Sequence, residues 1–214
     1  MRLYSYFRSS AAYRVRIALN LKGLSCEIVP VHLLRDGGQH LKPDYRALNP
    51  DAVLPTLIDG DEVVTQSLAI IEYLDETYPD PPLLPGSAAD RAFIRSIALQ
   101  VACEIHPLDN LRVLRYLKHE LGVAEDAKNA WYRHWVESGF ASLEKRLAGD
   151  ARVGQFCFGN TPTLADLCLV PQVFNARRFN IDVSPFPTIV RIVDQAERLD
   201  AFQRAAPAQQ PDAE

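Results

Sequence analysis

The chain of 214 residues has few cysteines, and none of them stands in a pattern that suggests a redox pair or a metal site. They lie far apart in apolar surroundings, form no Cys-x-x-Cys pair and have no zinc-ligand spacing with a histidine. We therefore predict reduced, mostly buried thiols in a cytoplasmic protein, and no metal centre. The four are Cys26, Cys103, Cys157 and Cys168.

A long apolar run and an excess of positive charge are also missing. No stretch is apolar enough over sufficient length to cross a bilayer, and the first residues read as a strand without a secretory signal. The formal net charge of −4 argues against nucleic acid as the main partner. Because 48% of the residues are hydrophobic, we expect a folded protein with a sizeable core.

Residues 1–80 alternate between strand and helix patterns. Four segments have the apolar, β-branched and aromatic composition that is typical of strands: residues 3–7, 26–32, 53–59 and 62–65. The first two are separated by a helix pattern and predict parallel strands, whereas the last two flank an Asp-Gly-Asp turn and predict an antiparallel hairpin. A helix is predicted to follow from Gln66 or Ser67. The order predicts an α/β domain, with a βαβ unit followed by a ββα unit.

The turn between the first strand and the first helix is the most informative part of this domain. Ser9 or Ser10 is a suitable N-cap, and Gly23 is a suitable stop for the helix. Free backbone amides, serine hydroxyls, the positive end of the helix dipole and the charge of Arg8 together favour an anion at this turn. The alternative is an ordinary capped helix without a ligand.

Two later features of the domain leave alternatives open. Arg35, His40 and Lys42 gather in a polar loop, either as solvated surface or as the wall of a site. Pro55 stands near the start of a strand, so it must lie at an edge, at a strand start or in a special turn. A cis peptide bond between Leu54 and Pro55 is one solution.

Prolines separate this domain from a helical second part. They predict a linker over 81–87, and helix patterns dominate 88–214. Pro107 lies inside the first long pattern and should kink or split it. The Thr-Leu-Ala-Asp segment at 163–166 resembles a capping box. The tail over 207–214 is rich in proline, glutamine and alanine, and we expect it to be loosely held. The main helix patterns cover 90–118, 125–147 and 163–178.

A set of motifs, in order along the chain, resembles the zeta class of the glutathione transferase family. The turn described above reads Tyr-Ser-Tyr-Phe-Arg-Ser-Ser and is followed by Arg-Val-Arg-Ile-Ala-Leu at 14–19. The family usually has Ser-Ser-Cys after that first arginine, whereas the third position here is Ala11. The other matching motifs are Leu-Asn-Pro at 48–50, Leu-Pro-Thr-Leu at 54–57, Gln-Ser-Leu-Ala-Ile-Ile-Glu-Tyr-Leu at 66–74, Leu-Cys-Leu-Val-Pro-Gln-Val at 167–173, Asn-Ala-Arg-Arg-Phe at 175–179 and Gln-Gln-Pro-Asp at 209–212.

The resemblance implies the glutathione transferase fold, in which an α/β thioredoxin-like domain precedes an all-α domain, and it implies glutathione as the cofactor. Ser9 is implied to orient the glutathione sulfur, with Ser10 as a second candidate. His106 is implied to contact glutathione or substrate, or else it is a helix-kink residue with a local hydrogen bond. The remaining implied contacts are Leu54 or Val53 beside Pro55 for the cysteinyl backbone, Gln66 and Ser67 for the γ-glutamyl carboxylate, and Gln39 and His40 for the glycyl end.

The implied activity is the cis–trans isomerisation of maleylacetoacetate to fumarylacetoacetate in tyrosine and phenylalanine breakdown. The nucleophile belongs to the cofactor, so no protein cysteine is required, and we expect Ala11 to affect inactivation chemistry more than isomerisation. Arg8 favours the thiolate. Arg8 and Arg178 are the main candidates for the substrate's carboxylates, with Arg177 and Arg112 as further ones, because the guanidinium fork matches a carboxylate. Without the family match, each of these arginines is as readily a surface salt-bridge residue.

Other functions stay open at this point. Maleylpyruvate of a gentisate-type pathway is chemically close to the first substrate. A glutathione transferase or dehalogenase acting on small α-halo acids would use the same thiolate, and a non-catalytic binding protein could have the same fold. A thiol–disulfide oxidoreductase is disfavoured, because no cysteine stands at the helix start. The family also implies a homodimer.

Overall fold

The computed structural model describes residues 1–214 and divides into two compact units. The first unit consists of Met1–Leu83 together with Glu197–Glu214, and the second unit is Leu84–Ala196. The sequence had suggested a helical domain that runs to the C-terminus. Packing instead groups the last residues with the first unit, because the last helix of the chain lies against the first helix.

The first unit contains a mixed sheet of four strands in the order β2-β1-β3-β4. Its strands are β1 (Arg2–Ser5), β2 (Glu27–Pro30), β3 (Thr56–Asp59) and β4 (Glu62–Thr65). β1 is parallel to β2, whereas β3 is antiparallel to both β1 and β4. Leu3 lies opposite Ile28 on one side and Leu57 on the other. The predicted βαβ and ββα units are therefore confirmed.

Three helices accompany this sheet: α1 (Ser10–Leu21), α2 (Pro43–Leu48) and α3 (Ser67–Thr77). The apolar faces of α1 and α3 pack against each other and the sheet, with fully buried side chains that include Leu3, Ile17, Leu57, Ile70, Ile71 and Leu74. Burying a leucine- or isoleucine-sized side chain contributes about 1.5–3 kcal/mol, so this core holds both helices in place. Five of the predicted site residues lie at or just before those two helix N-termini: Arg8, Ser9, Ser10, Gln66 and Ser67.

The second unit is helical, and a π-helical turn interrupts its first long helix. Its helices are α4 (Ala88–Leu99), α5 (His106–Asp109), α6 (Leu111–His119), α7 (Glu125–Gly149), α8 (Leu164–Arg178) and α9 (Pro187–Ala196), with the π-helical turn at Gln100–Ile105. The predicted split near Pro107 is confirmed, but the chain breaks at Asn110. The side-chain oxygen of Asn110 accepts hydrogen bonds from the first amides of α6, which makes Asn110 the start of a new helix.

The start of α8 is the predicted capping box. Asp166 is fully buried, and its carboxylate accepts hydrogen bonds from the amide and hydroxyl of Thr163, at 2.8 and 3.0 Å. It also accepts from the amide of Cys157 at 2.8 Å, which ties the preceding loop to the helix. None of the helices of the chain is long and apolar enough to span a membrane.

The prediction of a loosely held C-terminal tail is wrong. After α10 (Asp200–Ala205), the side-chain amide of Gln210 donates to the carbonyls of Arg204 and Ala206 at 2.9 and 3.0 Å. Asp212 accepts a hydrogen bond from the backbone of Phe7, and Glu214 pairs with Arg35. The composition of the tail resembles that of a mobile segment, but its polar side chains have specific partners, nearby for Gln210 and far away in sequence for Asp212 and Glu214.

Candidate active site

Ser9 caps α1 directly after the turn that follows β1. Its hydroxyl oxygen accepts a hydrogen bond from the amide of Ala12 at 3.2 Å, and its carbonyl accepts from the amide of Tyr13 at 2.8 Å. Because the oxygen acts as acceptor in the cap, its hydroxyl hydrogen can still be donated to a ligand. Ser10 is the first residue of α1 and is buried, so of the two predicted serines it is half-buried Ser9 that forms the cap.

The surroundings of Ser9 favour negative charge. Arg8 is half-buried, and its guanidinium carbon lies 4.7 Å from the centroid of the Phe7 ring. The first turn of α1 has no acidic residue, so its N-terminal dipole is not neutralised by the helix itself. A cation and a helix N-terminus beside a hydroxyl donor are the conditions that lower the pKa of a bound thiol.

Two buried or half-buried groups fix the backbone that leads to Ser9. The amide of Phe7 donates to Asp212 Oδ2 at 3.0 Å, and the carbonyl of Phe7 accepts from Arg16 Nη2 at 3.1 Å. Arg16 also donates to Ser5 Oγ at 3.0 Å and to the carbonyl of Ala205 at 3.0 Å. Burial lowers the pKa of Arg16 to about 10. The sequence did not reveal the contacts of Phe7 with Asp212 and Arg16, because they depend on packing rather than on local spacing.

The bond between Leu54 and Pro55 is cis, as the sequence suggested. Next to it, the carbonyl of Val53 accepts hydrogen bonds from the Tyr45 hydroxyl at 2.7 Å and from the Asn49 side-chain amide at 2.9 Å. This carbonyl is thus already engaged within the protein. Of the two candidates for pairing with an extended peptide ligand, the geometry therefore favours Leu54.

The N-terminus of α3 is open and strained. Gln66 precedes the helix with φ = +67°, is exposed, and makes no side-chain capping bond. A non-glycine residue at positive φ costs free energy, and such strain is often found where a ligand binds. Ser67, the first helical residue, is buried, and its Oγ accepts a hydrogen bond from Arg14 Nη1 at 3.2 Å. The first amides of α3 are therefore not capped by a side chain, which suits an anion.

The loop after β2 uses its predicted contact residues partly for its own structure. The side-chain oxygen of Gln39 accepts from the amide of His32 at 2.8 Å, which leaves the NH₂ group of Gln39 as the donor for a ligand. His40 is buried in the adjoining turn and packs against Gly38, where φ is +104° and an added Cβ would lie 2.6 Å from His40 Cε1. Of the basic residues predicted to gather here, Arg35 is exposed and pairs with Glu214. Lys42 is exposed too.

In the second unit, the four remaining candidates have different surroundings. His106 begins α5, directly after the π-helical turn, a feature that often marks functional sites. Arg112 is exposed near the start of α6. Arg177 pairs with Asp194 at 3.1 Å, which is the surface salt bridge that sequence analysis left open. Arg178 is exposed at the end of α8.

A buried polar cluster lies close to Arg178, and sequence analysis missed it. Asp109 at the end of α5 is 4% exposed and accepts a hydrogen bond from Gln172 Nε2 at 2.7 Å. Tyr132 stacks on Phe179 with ring centroids 3.8 Å apart. Burial and the charge of Asp109 raise the pKa of Tyr132, while Arg178 opposes them. The end of α5 thus contacts the middle of α8, while the C-terminal end of α8 lies beside α7.

The cysteines are not part of these arrangements. Cys157 and Cys168 are buried, Cys26 is half-buried and Cys103 is exposed, so the predicted burial of most thiols holds fully for two of the four. Burial raises the pKa of Cys26 to about 11 and that of Cys157 well above its usual range. A raised pKa keeps a thiol protonated and poorly nucleophilic at neutral pH.

Both parts of the chain match models of one protein family. Residues 3–82 match the family model for the N-terminal domain of glutathione S-transferases, and residues 125–203 match the model for their C-terminal domain. The chain belongs to the glutathione transferase family. The family resemblance inferred from the motifs is therefore confirmed, and with it the predicted fold.

Individual relatives indicate which members of the family the chain is similar to in sequence and structure. It is 53% identical over 211 residues to a probable maleylacetoacetate isomerase of Vibrio cholerae, covering 99% of this chain and 97% of that protein. A holo structure described as maleyl pyruvate isomerase, a bacterial transferase of the zeta class, is 48% identical with a TM-score of 0.97 and full coverage of both chains. A maleylacetoacetate isomerase from Methylobacterium extorquens, solved with bound malonate and glutathione, is 43% identical with a TM-score of 0.96, again with full coverage of both chains.

Proposed function

We propose that this transferase is a glutathione-dependent cis–trans isomerase that converts maleylacetoacetate to fumarylacetoacetate in tyrosine and phenylalanine breakdown. The observation that carries the proposal is the state of Ser9. Its hydroxyl caps α1 as an acceptor and keeps its hydrogen for a thiolate, beside Arg8 and a helix N-terminus without acidic residues. Relatives named for this reaction align over nearly the whole chain, which supports the choice of substrate.

The residues of the first unit fit the chemical groups of glutathione. The open N-terminus of α3, with Gln66 and Ser67, suits the γ-glutamyl carboxylate. The backbone of Leu54 suits the cysteinyl part, and Ser9 the thiol. Gln39 and His40 are the residues that we assign to the glycyl end, with the NH₂ group of Gln39 as its donor.

When bound, glutathione supplies a thiol that can add reversibly to a conjugated double bond, so that the bond can rotate. The task of the protein is to keep that thiol ionised and to direct it. Ser9 donates a hydrogen bond to the sulfur, while Arg8 and the dipole of α1 favour its negative charge. Each unit by which these groups lower the thiol pKa corresponds to about 1.4 kcal/mol.

The substrate is a diacid, and negative charge grows on its carbonyl oxygen when the thiolate adds. We assign Arg8 and Arg178 to these groups, with Arg112 as a further ligand, because a guanidinium binds carboxylate through two parallel hydrogen bonds. Arg177 is the weaker candidate, since its guanidinium pairs with Asp194. His106 is assigned to glutathione or substrate on its position after the π-helical turn.

Maleylpyruvate is the second candidate substrate, because the holo structure described for that reaction superposes with a TM-score of 0.97. Both substrates are diacids with the same cis-enone, and they differ in the chain that carries the second carboxylate. We further propose that the protein acts as a homodimer in the cytoplasm. None of the four cysteines forms a disulfide, which supports that compartment, since disulfides are rare there.

The proposal is tested with purified protein and two enzymatically generated substrates. Maleylacetoacetate and maleylpyruvate are each mixed with the protein, with and without glutathione, and the enone absorbance is followed with a hydrolase specific for the trans product. We expect glutathione-dependent turnover, faster on maleylacetoacetate. A clear preference for maleylpyruvate would move the assignment to that reaction. Failure on both substrates while small α-halo acids are conjugated would make the protein a conjugating enzyme rather than an isomerase.

A further inference from the structure

Arg14 is a buried cation without a counter-ion. It lies in α1 and is 2% exposed, and its only hydrogen bond runs from Nη1 to Ser67 Oγ at 3.2 Å. Its Nε and Nη2 atoms are buried without a hydrogen-bond partner. No carboxylate forms an ion pair with it. An uncompensated buried charge is costly, so a residue of this kind calls for a function.

Arg16, two residues later, shows what a structural arginine looks like in the same helix. It is 3% exposed, and its guanidinium donates to three backbone carbonyls and one hydroxyl. Those bonds hold the turn before Ser9 and the start of the tail. Arg14 has the same depth in the protein but only one acceptor, so packing alone does not account for it.

The single acceptor of Arg14 lies at the N-terminus of a helix that is suited to an anion. Ser67 is the first residue of α3, which is 11 residues long, and the preceding Gln66 has φ = +67° and provides no side-chain cap. A buried guanidinium and the positive end of a helix therefore meet at one hydroxyl. Each of them alone favours negative charge, and the buried charge is little screened by solvent.

The direction of the hydrogen bond determines what Ser67 can do. Arginine has only donors, so Ser67 Oγ is the acceptor in this contact and retains its own hydrogen for donation. A hydroxyl that accepts from a cation is also a stronger donor, because hydrogen bonds in a chain polarise one another. The hydroxyl of Ser67 is thus prepared to bind a carboxylate.

We propose that Arg14 is a positioning residue for glutathione, which orients and polarises the Ser67 hydroxyl toward the α-carboxylate of the γ-glutamyl group. Arg14 acts through Ser67, since its remaining donors are buried. The inference rests on the proposed function only in taking glutathione as the ligand. It also explains why a costly buried charge is present at this helix start.

The test compares two ligands by isothermal titration calorimetry. One is glutathione, and the other is 4-aminobutyryl-cysteinyl-glycine, which lacks the α-carboxylate of the γ-glutamyl group. We expect Arg14→Met to weaken glutathione binding by about tenfold to a hundredfold, the range for a hydrogen bond to a charged group. Binding of the analogue should stay within about threefold, and Arg14→Lys, which keeps the charge, should lose less than Arg14→Met.

A double-mutant cycle shows whether Arg14 acts through Ser67. If it does, Arg14→Met combined with Ser67→Ala should bind glutathione no more weakly than Ser67→Ala alone within about twofold. Thermal unfolding gives a separate readout. Without ligand, Arg14→Met should unfold at a temperature no lower than wild type, because it removes an unpaired buried charge. Glutathione should raise that temperature less in the variant than in the wild type.

The outcomes separate the inference from the proposed function. Equal losses for both ligands, or no loss for glutathione, would overturn the role of Arg14. The same conclusion would follow if Arg14→Met weakened glutathione binding further in the Ser67→Ala background. If Arg14→Met does not fold, Arg14→Lys and Ser67→Ala decide by the same ligand comparison. Wild-type protein that binds neither ligand would instead overturn the proposed function, and the inference with it.

Discussion

The backbone amide of Phe7 donates a hydrogen bond to Asp212 Oδ2 at 3.0 Å, which joins the turn before Ser9 to the end of the chain. The carbonyl of the same residue is held by Arg16, so both polar groups of this peptide position have partners from other elements. The path of the chain into α1, and with it the direction of Ser9, therefore depends on the last residues of the protein.

Replacing Asp212 should affect both stability and activity. Asp212→Ala leaves the amide of Phe7 without its partner, which costs about 1–3 kcal/mol of unfolding free energy. Loosening of the turn should lower kcat/KM for isomerisation about tenfold or more, because small displacements of catalytic groups are costly. Urea unfolding and initial rates measure the two effects.

The control for Asp212 is Glu214→Gln, which changes a carboxylate in the same tail. Glu214 is exposed, pairs with exposed Arg35 and lies 3.4 Å from Nε2 of His32; surface pairs contribute little, and glutamine keeps a polar oxygen beside the histidine. The unfolding free energy should change by no more than about 0.5 kcal/mol, and turnover should be unaffected. Equal effects of the two substitutions would show that the contact with Phe7 has no special role.

Ser9→Ala should lose the hydrogen bond that directs the thiolate. We expect kcat to fall by about 10²-fold or more, the scale of a positioned catalytic group, and the pKa of bound glutathione, followed by thiolate absorbance, to rise. The lost cap should also cost about 1 kcal/mol of stability. Ser10→Ala is the matched control and should keep most of the turnover. Unchanged turnover of Ser9→Ala with excess glutathione would move the role to Ser10 or to the backbone.

Ala11 occupies the position where the zeta class usually has a cysteine. Because the nucleophile belongs to glutathione, Ala11→Cys should leave isomerase turnover within about threefold. It should change the rate at which electrophilic substrates inactivate the enzyme, measured by mass spectrometry of the protein after turnover. A tenfold gain in isomerase turnover would contradict this account.

Asp166 links the start of α8 to the loop at Cys157. We expect its ionisation to make the free energy of unfolding depend on pH. Burial raises the pKa of Asp166 above 3.8, against the hydrogen bonds that it accepts from Cys157 and Thr163. A carboxyl with a raised native pKa stabilises the fold most below its unfolded pKa, and this contribution is lost as the pH rises through the native pKa. Asp166→Asn does not titrate at this position. Its unfolding free energy should therefore fall less between the unfolded and native pKa values of Asp166, measured by urea unfolding at several pH values. A steeper fall in the variant would mean that the hydrogen bonds outweigh burial.

The features that could be predicted from the sequence depend on near neighbours. The hairpin from Thr56 to Thr65 follows from its Asp-Gly-Asp turn, and the caps at Ser9 and Thr163 follow from side chains that bond two or three residues ahead. The cis bond before Pro55 was suggested by a proline that could not fit a regular strand. In these cases local chemistry determines local structure.

The features that were missed depend on distant partners. Arg14 and Ser67 are 53 positions apart, and Phe7 and Asp212 are 205 apart, so no spacing rule connects them. The tail was expected to be loose for the same reason, because its composition does not reveal its partners. The sequence indicated the split near Pro107, but it did not show that the capping oxygen of Asn110 starts the new helix.

The central claim is that the thiol of glutathione is used and returned in every cycle. It is tested by following maleylacetoacetate isomerisation with glutathione and with S-methylglutathione, whose sulfur cannot form a thiolate, while free thiol is titrated. We predict turnover only with glutathione, many product molecules per glutathione, and no loss of free thiol. Turnover with S-methylglutathione, or consumption of one glutathione per product, would contradict the account.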